Sequence, residues 1–207
     1  IYNQTRNDVS QFPGANGEVI PATGSGLIFG LMNKLPAVQA ARYTNGEYGP
    51  GQNGVNPVAI LDEGGFYQQT STPVQGNFSL QYKPWEFLSA RVSYSPSFSS
   101  PQSKSFVSAI QTYYDDGSRA FLVPAKNYLT QTADKDRSDQ FNGTVTFSRQ
   151  YGPHAVAAMG GFQYENVSSG WFNATRDGFL FPQYTVMSAG SSDNMQNDGS
   201  ATASSLL

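Results

Sequence analysis

Apolar and polar residues alternate in four short runs of this chain, and that alternation limits the fold more than any other feature of the sequence. The runs cover residues 77–82, 88–95, 141–148 and 154–165. Because successive side chains of a β-strand point to opposite faces of its sheet, each run predicts a strand with one apolar and one polar face. The stretches 83–86 and 149–153 contain turn-forming proline or glycine, so the runs predict two antiparallel hairpins, at residues 75–95 and 141–165.

The composition agrees with an all-β fold and excludes several classes of function. Charged residues make up only 13% of the chain, against about 25% in typical soluble domains. The 21 glycines and 12 prolines disfavour an all-helical bundle. With 12 basic and 15 acidic side chains the net charge is -3, so the chain lacks the positive field of a nucleic-acid-binding protein. It has no cysteine and one histidine, which excludes disulfides, thiolate metal sites and multi-histidine metal centres.

The connections between the runs alternate between very short and very long. Polar, serine-rich stretches at residues 96–140 and 166–207 contrast with the two tight turns, and we predict both stretches to be loops. Loops longer than about 15 residues are uncommon in compact domains. Bacterial outer-membrane barrels combine short periplasmic turns with long extracellular loops, so the spacing favours part of such a barrel.

Aromatic residues lie at both ends of the predicted strands, where the interfacial girdles of an outer-membrane barrel would be. They are Tyr82, Trp85, Phe147 and Tyr151 at the turn end, and Tyr94, Phe141, Phe162 and Tyr164 at the loop end. Each run is close to the length of about 9–11 residues that a tilted strand needs to cross a bilayer. A soluble β-sandwich uses the same alternation to bury one face of each sheet and is the competing interpretation.

Residues 1–74 form a loop region in this interpretation, since turn signals such as Asn53-Gly54 and Asn56-Pro57 recur along it. One short helix is predicted near residues 26–33, with Ser25 as its cap and Pro36 beyond its end. The first six residues lack the features of a signal peptide, and an apolar segment begins at residues 204–207. We therefore expect the sequence to be a piece of a longer protein.

Several segments resemble the middle of SusC/RagA-type TonB-dependent outer-membrane transporters. In the N-terminal third these are GLIFGLMNKLP at residues 26–36, ARYTNG at 41–46 and GVNPVA at 54–59. They are followed by QGNFSLQY at residues 75–82 and YGPHAVAAMGGF at 151–162. The similarity runs through almost the whole chain, in the order of the family.

The resemblance implies an all-β fragment of a 22-stranded barrel that surrounds a plug. The chain would supply about four strands and three extracellular loop regions, at 1–74, 96–140 and 166–207. Such a transporter takes up oligosaccharides or peptides together with a SusD-like surface lipoprotein, sits in outer-membrane lipid, and is driven by TonB through a plug that these residues do not include. The resemblance implies no reaction and no cofactor.

A barrel assigns opposite roles to the two faces of each strand. Phe78, Leu80, Val92 and Val145 would face lipid. The residues expected to line the interior are Asn77, Ser79, Gln81, Arg91, Thr144 and Thr146.

Aromatic residues of the predicted loops are the best candidates for binding, because they have no evident core to enter. Substrate or the lid lipoprotein is expected to contact Tyr113, Tyr114, Trp171, Phe172 and Tyr184, and Phe179 and Phe181 belong to the same group. Flat aromatic faces stack on sugar rings while nearby amides and carboxylates bind hydroxyl groups. Packing of loop against loop is the alternative.

Catalytic and metal sites are not predicted. His154 lies beside a turn, and the acidic stretch from Asp134 has Asp139 and Val145 where a calcium loop needs glycine and a bidentate glutamate. Two other functions remain open: a secreted lectin-like β-sandwich, and a glycoside hydrolase that uses a carboxylate pair such as Glu47 and Asp177.

Overall fold

The computed structural model describes residues 5–9, 11–13, 19–21 and 25–206, with side chains from residue 28 to residue 206. Strands hold 60% of the described residues and helices 8%, and every strand pairing among these residues is antiparallel, so the predicted all-β class is confirmed. The strands of the N-terminal half are β1 (Thr5–Val9), β2 (Gln11–Pro13), β3 (Val19–Pro21), β4 (Gly65–Ser71), β5 (Val74–Gln75), β6 (Phe78–Trp85) and β7 (Leu88–Ser99). They are followed by β8 (Gln102–Val107), β9 (Ile110–Tyr113), β10 (Arg119–Val123), β11 (Tyr128–Tyr151), β12 (His154–Asp177) and β13 (Gln196–Leu206).

Strands β11 and β12 form one uninterrupted hairpin of 24 residues on each side. Its register runs without a shift from Tyr151 opposite His154 to Tyr128 opposite Asp177. The turn is made at Gly152, whose φ of 56° lies in the left-handed region that favours glycine. At about 3.4 Å per residue each strand is about 80 Å long. The hairpin therefore has a turn end at Gly152 and, far from it, a loop end at Tyr128 and Asp177.

Strand β11 is the centre of a nine-stranded sheet. Near the turn end it pairs with β7, which in turn pairs with β6, and near the loop end it pairs with β8, which pairs with β4. On the other side β12 pairs with β13. Both predicted hairpins are thus present, as β6–β7 and as the turn-end part of β11–β12.

The prediction that residues 96–140 and 166–207 are loops is wrong for much of their length. Both strands of the long hairpin continue past residues 141 and 165 to Tyr128 and Asp177, and β8, β9, β10 and β13 also lie in these stretches. Polar side chains occupy both faces there, so no alternation of hydropathy marks the strands. The hydrogen-bond ladder holds them, because β11 has a partner strand on each side.

Two helices belong to the N-terminal region. Helix α1 (Ser25–Met32) confirms the predicted helix, and helix α2 (Pro57–Glu63) was not predicted. Asn56 caps α2, since its side-chain oxygen accepts from the N–H groups of Val58 and Ala59. Proline is well suited to the first position of a helix, so the Asn-Pro pair starts a helix here instead of a turn.

Two small clusters form the core of the described residues. Tyr48, Ala59, Ile60 and Ile110 are buried together around α2. Phe106, Leu129 and Phe179 are buried at the loop end of the large sheet, with Phe66 and Met187 packed against them. No helix in the described part of the chain is long and apolar enough to cross a membrane.

Candidate functional site

One face of the sheet carries a continuous apolar band near the turn end. Residues that pair across strands share a face, so the register of β6, β7, β11 and β12 arranges the side chains in rows. The first row is aromatic throughout and consists of Phe78, Tyr94, Phe141 and Tyr164. The next two rows are Leu80, Val92, Gly143 and Phe162, then Tyr82, Ala90, Val145 and Gly160. We call these three rows, together with the next row of Leu88, Phe147 and Ala158 and with Val156 at the turn-end border, the apolar band, and their side of the sheet the apolar face.

The band is exposed rather than buried. Leu80 is 73% exposed, Phe78 65% and Phe162 58%. Burying such a side chain is worth about 1.5–3 kcal/mol, so a contiguous patch of this size in water is unfavourable. Eight residue steps separate Val156 from Tyr164 on β12, about 27 Å of strand, or about 21 Å of height at a tilt of about 40°. That height is close to the lipid-facing band of outer-membrane barrels, about 25 Å.

Charged groups border the apolar band on both sides. Beyond the aromatic row, the Tyr94 hydroxyl donates to Asp139 Oδ1 at 2.6 Å, and Arg137 Nε donates to Asp139 Oδ2 at 2.7 Å. Both hydrogen bonds lower the pKa of the Asp139 carboxyl below its usual value, and the bond from Arg137 has the larger effect. At the turn end the Arg149 guanidinium lies 5.0 Å from the ring centre of Phe87. An apolar stripe between two borders of aromatic and charged side chains is the pattern of a membrane-crossing surface.

The opposite face of the same strands is polar, and we call it the polar face. All six residues predicted to line an interior lie on this face: Asn77, Ser79, Gln81, Arg91, Thr144 and Thr146. Arg91 donates to Gln81 at 3.2 Å, and Asn77 donates to Ser95 at 2.9 Å. The structure thus brings the six together on one surface, while their place in a barrel interior stays a prediction.

A polar cleft of about 430 Å³ opens at the loop end of the hairpin. Its floor is the last residue pair, Tyr128 opposite Asp177, and the neighbouring Thr175. Because the register is unbroken, these side chains lie on the polar face, the side that carries Thr144 and Thr146. The remaining lining residues are Ala125, Lys126, Asn194 and Gln196.

The cleft holds polar atoms that the described residues leave without a partner. Asp177 Oδ2 accepts from Asn194 at 3.0 Å and lies 3.7 Å from Lys126 Nζ. Asp177 Oδ1 and the Tyr128 hydroxyl are buried and make no hydrogen bond within the described chain. Burial raises the pKa of Tyr128, so its hydroxyl stays neutral and able to donate. The cleft therefore combines an exposed ammonium group with two buried polar atoms whose hydrogen bonds the described residues do not satisfy.

A reciprocal pair of hydrogen bonds holds the cleft in place. Asn127 Nδ2 donates to the carbonyl of Phe179 at 2.8 Å, and the Phe179 N–H donates back to Asn127 Oδ1 at 2.7 Å. The Phe179 ring packs edge-on against Phe106 at 5.6 Å, beside the fully buried Leu129. The segment after β12 is thus tied to the core directly under the cleft. Sequence reasoning missed this site, apart from naming Asp177, because its residues are far apart in the chain.

The loop aromatics predicted to bind substrate or a lid do not form one surface. Trp171 and Phe172 lie in β12, not in a loop, and they point to opposite faces: Trp171 pairs with Asp134 on the polar face and Phe172 with Ala133 on the apolar face. Tyr113 ends β9, and the next residue, Tyr114, has its ring centre 6.4 Å from that of Phe121 in β10.

The other aromatic residues of the second predicted loop differ in burial. Tyr184 is 61% exposed and is the last residue of a turn, in which its N–H donates to the carbonyl of Phe181. Phe179 is buried, so the expectation that it has no core to enter is wrong.

The carboxylates of the hydrolase hypothesis have separate partners. Glu47 accepts from Asn45 at 2.7 Å, whereas Asp177 contacts Lys126 and Asn194. Among the residues described by the structure, no three His, Asp or Glu side chains lie together as a metal site would require.

Comparison with known proteins gives a structural likeness only. No protein-family model and no curated protein match the chain. Among the solved structures, a chain of the RagAB peptide importer in the closed-closed state matches with a TM-score of 0.58 at 14% identity. The match covers 77% of this chain and spans 18% of the importer chain. At this identity the likeness shows a shared β-rich fold.

Proposed function

We propose that this chain is a section of the wall of an outer-membrane barrel that imports a polar nutrient, an oligosaccharide or a peptide. The exposed apolar band carries the proposal. Lipid would cover the band, and the polar face would line the interior. The fold shared with part of the RagAB importer supports the same assignment.

The polar cleft gives the proposed importer a place to bind its cargo. It lies on the polar face, about 80 Å of strand from the turn, in the part of the sheet beyond the membrane band. The exposed Lys126 ammonium group attracts a carboxylate of the cargo, and the charge of Asp177 beside it orients the N–H or O–H groups of a peptide or sugar. A SusD-like lipoprotein would close over the loop end, and TonB would supply the energy. The chain itself carries no catalytic step in this proposal.

Paired spin labels test the membrane assignment. The chain has no cysteine of its own, so in a full-length protein whose other cysteines have been replaced, single cysteines at Leu80 and Ser79 give two labels on adjacent residues that face opposite sides. The label at position 80 should be relaxed by oxygen and protected from a water-soluble nickel complex, and the label at 79 should show the reverse. Equal access of the nickel complex to both labels would refute the assignment.

A substitution at Asp177 separates uptake from hydrolysis. In the full-length protein D177N removes the negative charge of the cleft at nearly constant volume, and it should weaken binding of the transported nutrient without creating or removing a product. D193N is a matched control, since it removes a charge from an exposed side chain outside the cleft lining, and it should bind the nutrient like the parent. Cleavage of a glycan by the parent protein that disappears in D177N would replace the transporter proposal by the hydrolase hypothesis.

A further inference from the structure

Two adjoining cavities lie on the apolar face just beyond the aromatic row. The first, of about 410 Å³, is lined mainly by apolar groups: Val74, Gly76, Phe78, Tyr94, Pro96 and Phe98. The second, of about 470 Å³, contains Lys135 and Arg137 above a floor of small residues, among them Gly170, Ala201 and Ala203. Phe98 and Arg137 line both cavities. An apolar pocket and a cationic pocket therefore share a wall.

The cationic pocket has a positive charge that its neighbours do not cancel. Arg137 pairs with Asp139 at 2.7 Å, whereas Lys135 makes no ion pair with any residue that the structure describes. Asp136 lies at the edge of this pocket, but its backbone register places its side chain on the polar face. Two cations and one carboxylate on the apolar face leave a net charge of +1 there.

The height of the cations above the apolar band matches a lipid headgroup. Arg137 and Lys135 lie four and six residues beyond Phe141 on β11, about 14 and 20 Å along the strand. The Arg137 side chain reaches back toward the band, since its Nε contacts Asp139, which also binds the Tyr94 hydroxyl. Basic side chains at this border of a bilayer bind headgroup phosphates.

We propose that the two cavities together bind a phosphorylated lipid of the outer leaflet. Lys135 and Arg137 hold the phosphate, and an acyl chain lies against Phe98 and the aromatic row in the apolar cavity. The absence of large side chains at Gly170 and Ala201 gives the headgroup access to both cations. This inference rests on the proposed membrane position of the apolar band.

Lipid retention in the full-length protein tests the inference. The parent protein and the double variant K135Q/R137Q are reconstituted in nanodiscs of phosphatidylcholine with lipid A or with dephosphorylated lipid A, and retained lipid is counted by native mass spectrometry after extraction. The parent should keep lipid A in preference to the dephosphorylated form. Because each cation near a headgroup contributes about a fivefold preference, the double variant should lose most of that selectivity.

Matched controls make each outcome decisive. K104Q removes a charge from the same face farther from the band, on a residue that packs over Phe66, and should retain lipid A like the parent. If the spin label at position 80 reports lipid while K135Q/R137Q retains lipid A unchanged, this inference fails and the proposed function stands. If the spin label at position 80 reports water, both this inference and the proposed function fail. Displacement of lipid A by millimolar inorganic phosphate would show a free anion as the ligand and overturn the lipid assignment.

Discussion

Replacing Val145 by arginine puts a charge at the centre of the apolar band. Val145 lies four residues from Phe141 at one border and four from Arg149 at the other, and its side chain is half exposed on the apolar face. Each border is therefore about 14 Å away along the strand, or about 10 Å in height at a tilt of about 40°. An arginine there cannot reach either border without distortion.

The expected cost follows from that depth. Lipid-facing arginine near the midplane destabilises an outer-membrane barrel by about 2–4 kcal/mol, a factor of about 30 to 1,000 in the folding equilibrium. T144R, one residue away, places the same charge on the polar face beside Arg91 and Gln81 and should cost below about 1 kcal/mol. The two variants carry the same net charge, and repulsion from Arg91 can only add to the cost of T144R, so a larger loss for V145R reports the environment of the apolar face.

Urea unfolding of the full-length protein in lipid vesicles measures both costs, and the folded fraction is read from gel mobility with and without heating. V145R should shift the unfolding midpoint strongly, and T144R weakly. Equal destabilisation by the two variants, or a smaller loss for V145R than for T144R, would refute the assignment of the apolar face to lipid.

Three further predictions concern single residues outside the band. W171A should weaken growth on the transported nutrient, or weaken the complex with the lipoprotein, while assembly stays normal. F172A, on the other face, should have neither effect; equal effects of the two variants would contradict the assignment of these side chains to opposite faces of β12. Y128F removes a buried hydroxyl that has no described partner, so it should leave stability unchanged or raise it by about 1 kcal/mol while weakening nutrient binding, as measured by unfolding and calorimetry. Burial, with Glu63 and Asp62 nearby, raises the pKa of Tyr48 to about 12, so the stability contributed by its protonated form is complete below pH 10 and lost as the pH rises through 12. Ultraviolet titration of the folded protein should show a late-ionising tyrosine that is missing in Y48F.

The strands of the apolar band can be predicted from the sequence because lipid or a protein core must cover one face of each strand, and this makes apolar and polar residues alternate. At residues 134–137 no such requirement exists, since Lys135 and Arg137 lie on one face and Asp134 and Asp136 on the other. Only hydrogen bonding to neighbouring strands makes that segment a strand, and strand pairing cannot be read from a single sequence.

The polar cleft was missed for a related reason. Lys126, Asp177 and Asn194 come together through strand register and through the Asn127–Phe179 hydrogen bonds, which are all long-range. One signal was available: counting outward from the predicted turn, with no bulge, places Tyr128 opposite Asp177. The capping role of Asn56 was hidden because Asn-Pro is common both in turns and at helix starts.

The unbroken register of β11 and β12 also limits how this region can vary in evolution. Insertion of one residue between Gly152 and Trp171 would shift every later side chain of β12 to the other face, and would turn both Trp171 and Asp177 away from the polar side. Insertion of two residues in each strand keeps the parity of both strands and moves the cleft outward. Homologues should therefore differ in the length of each strand of this hairpin by even numbers of residues, and an odd difference should come with a compensating β-bulge.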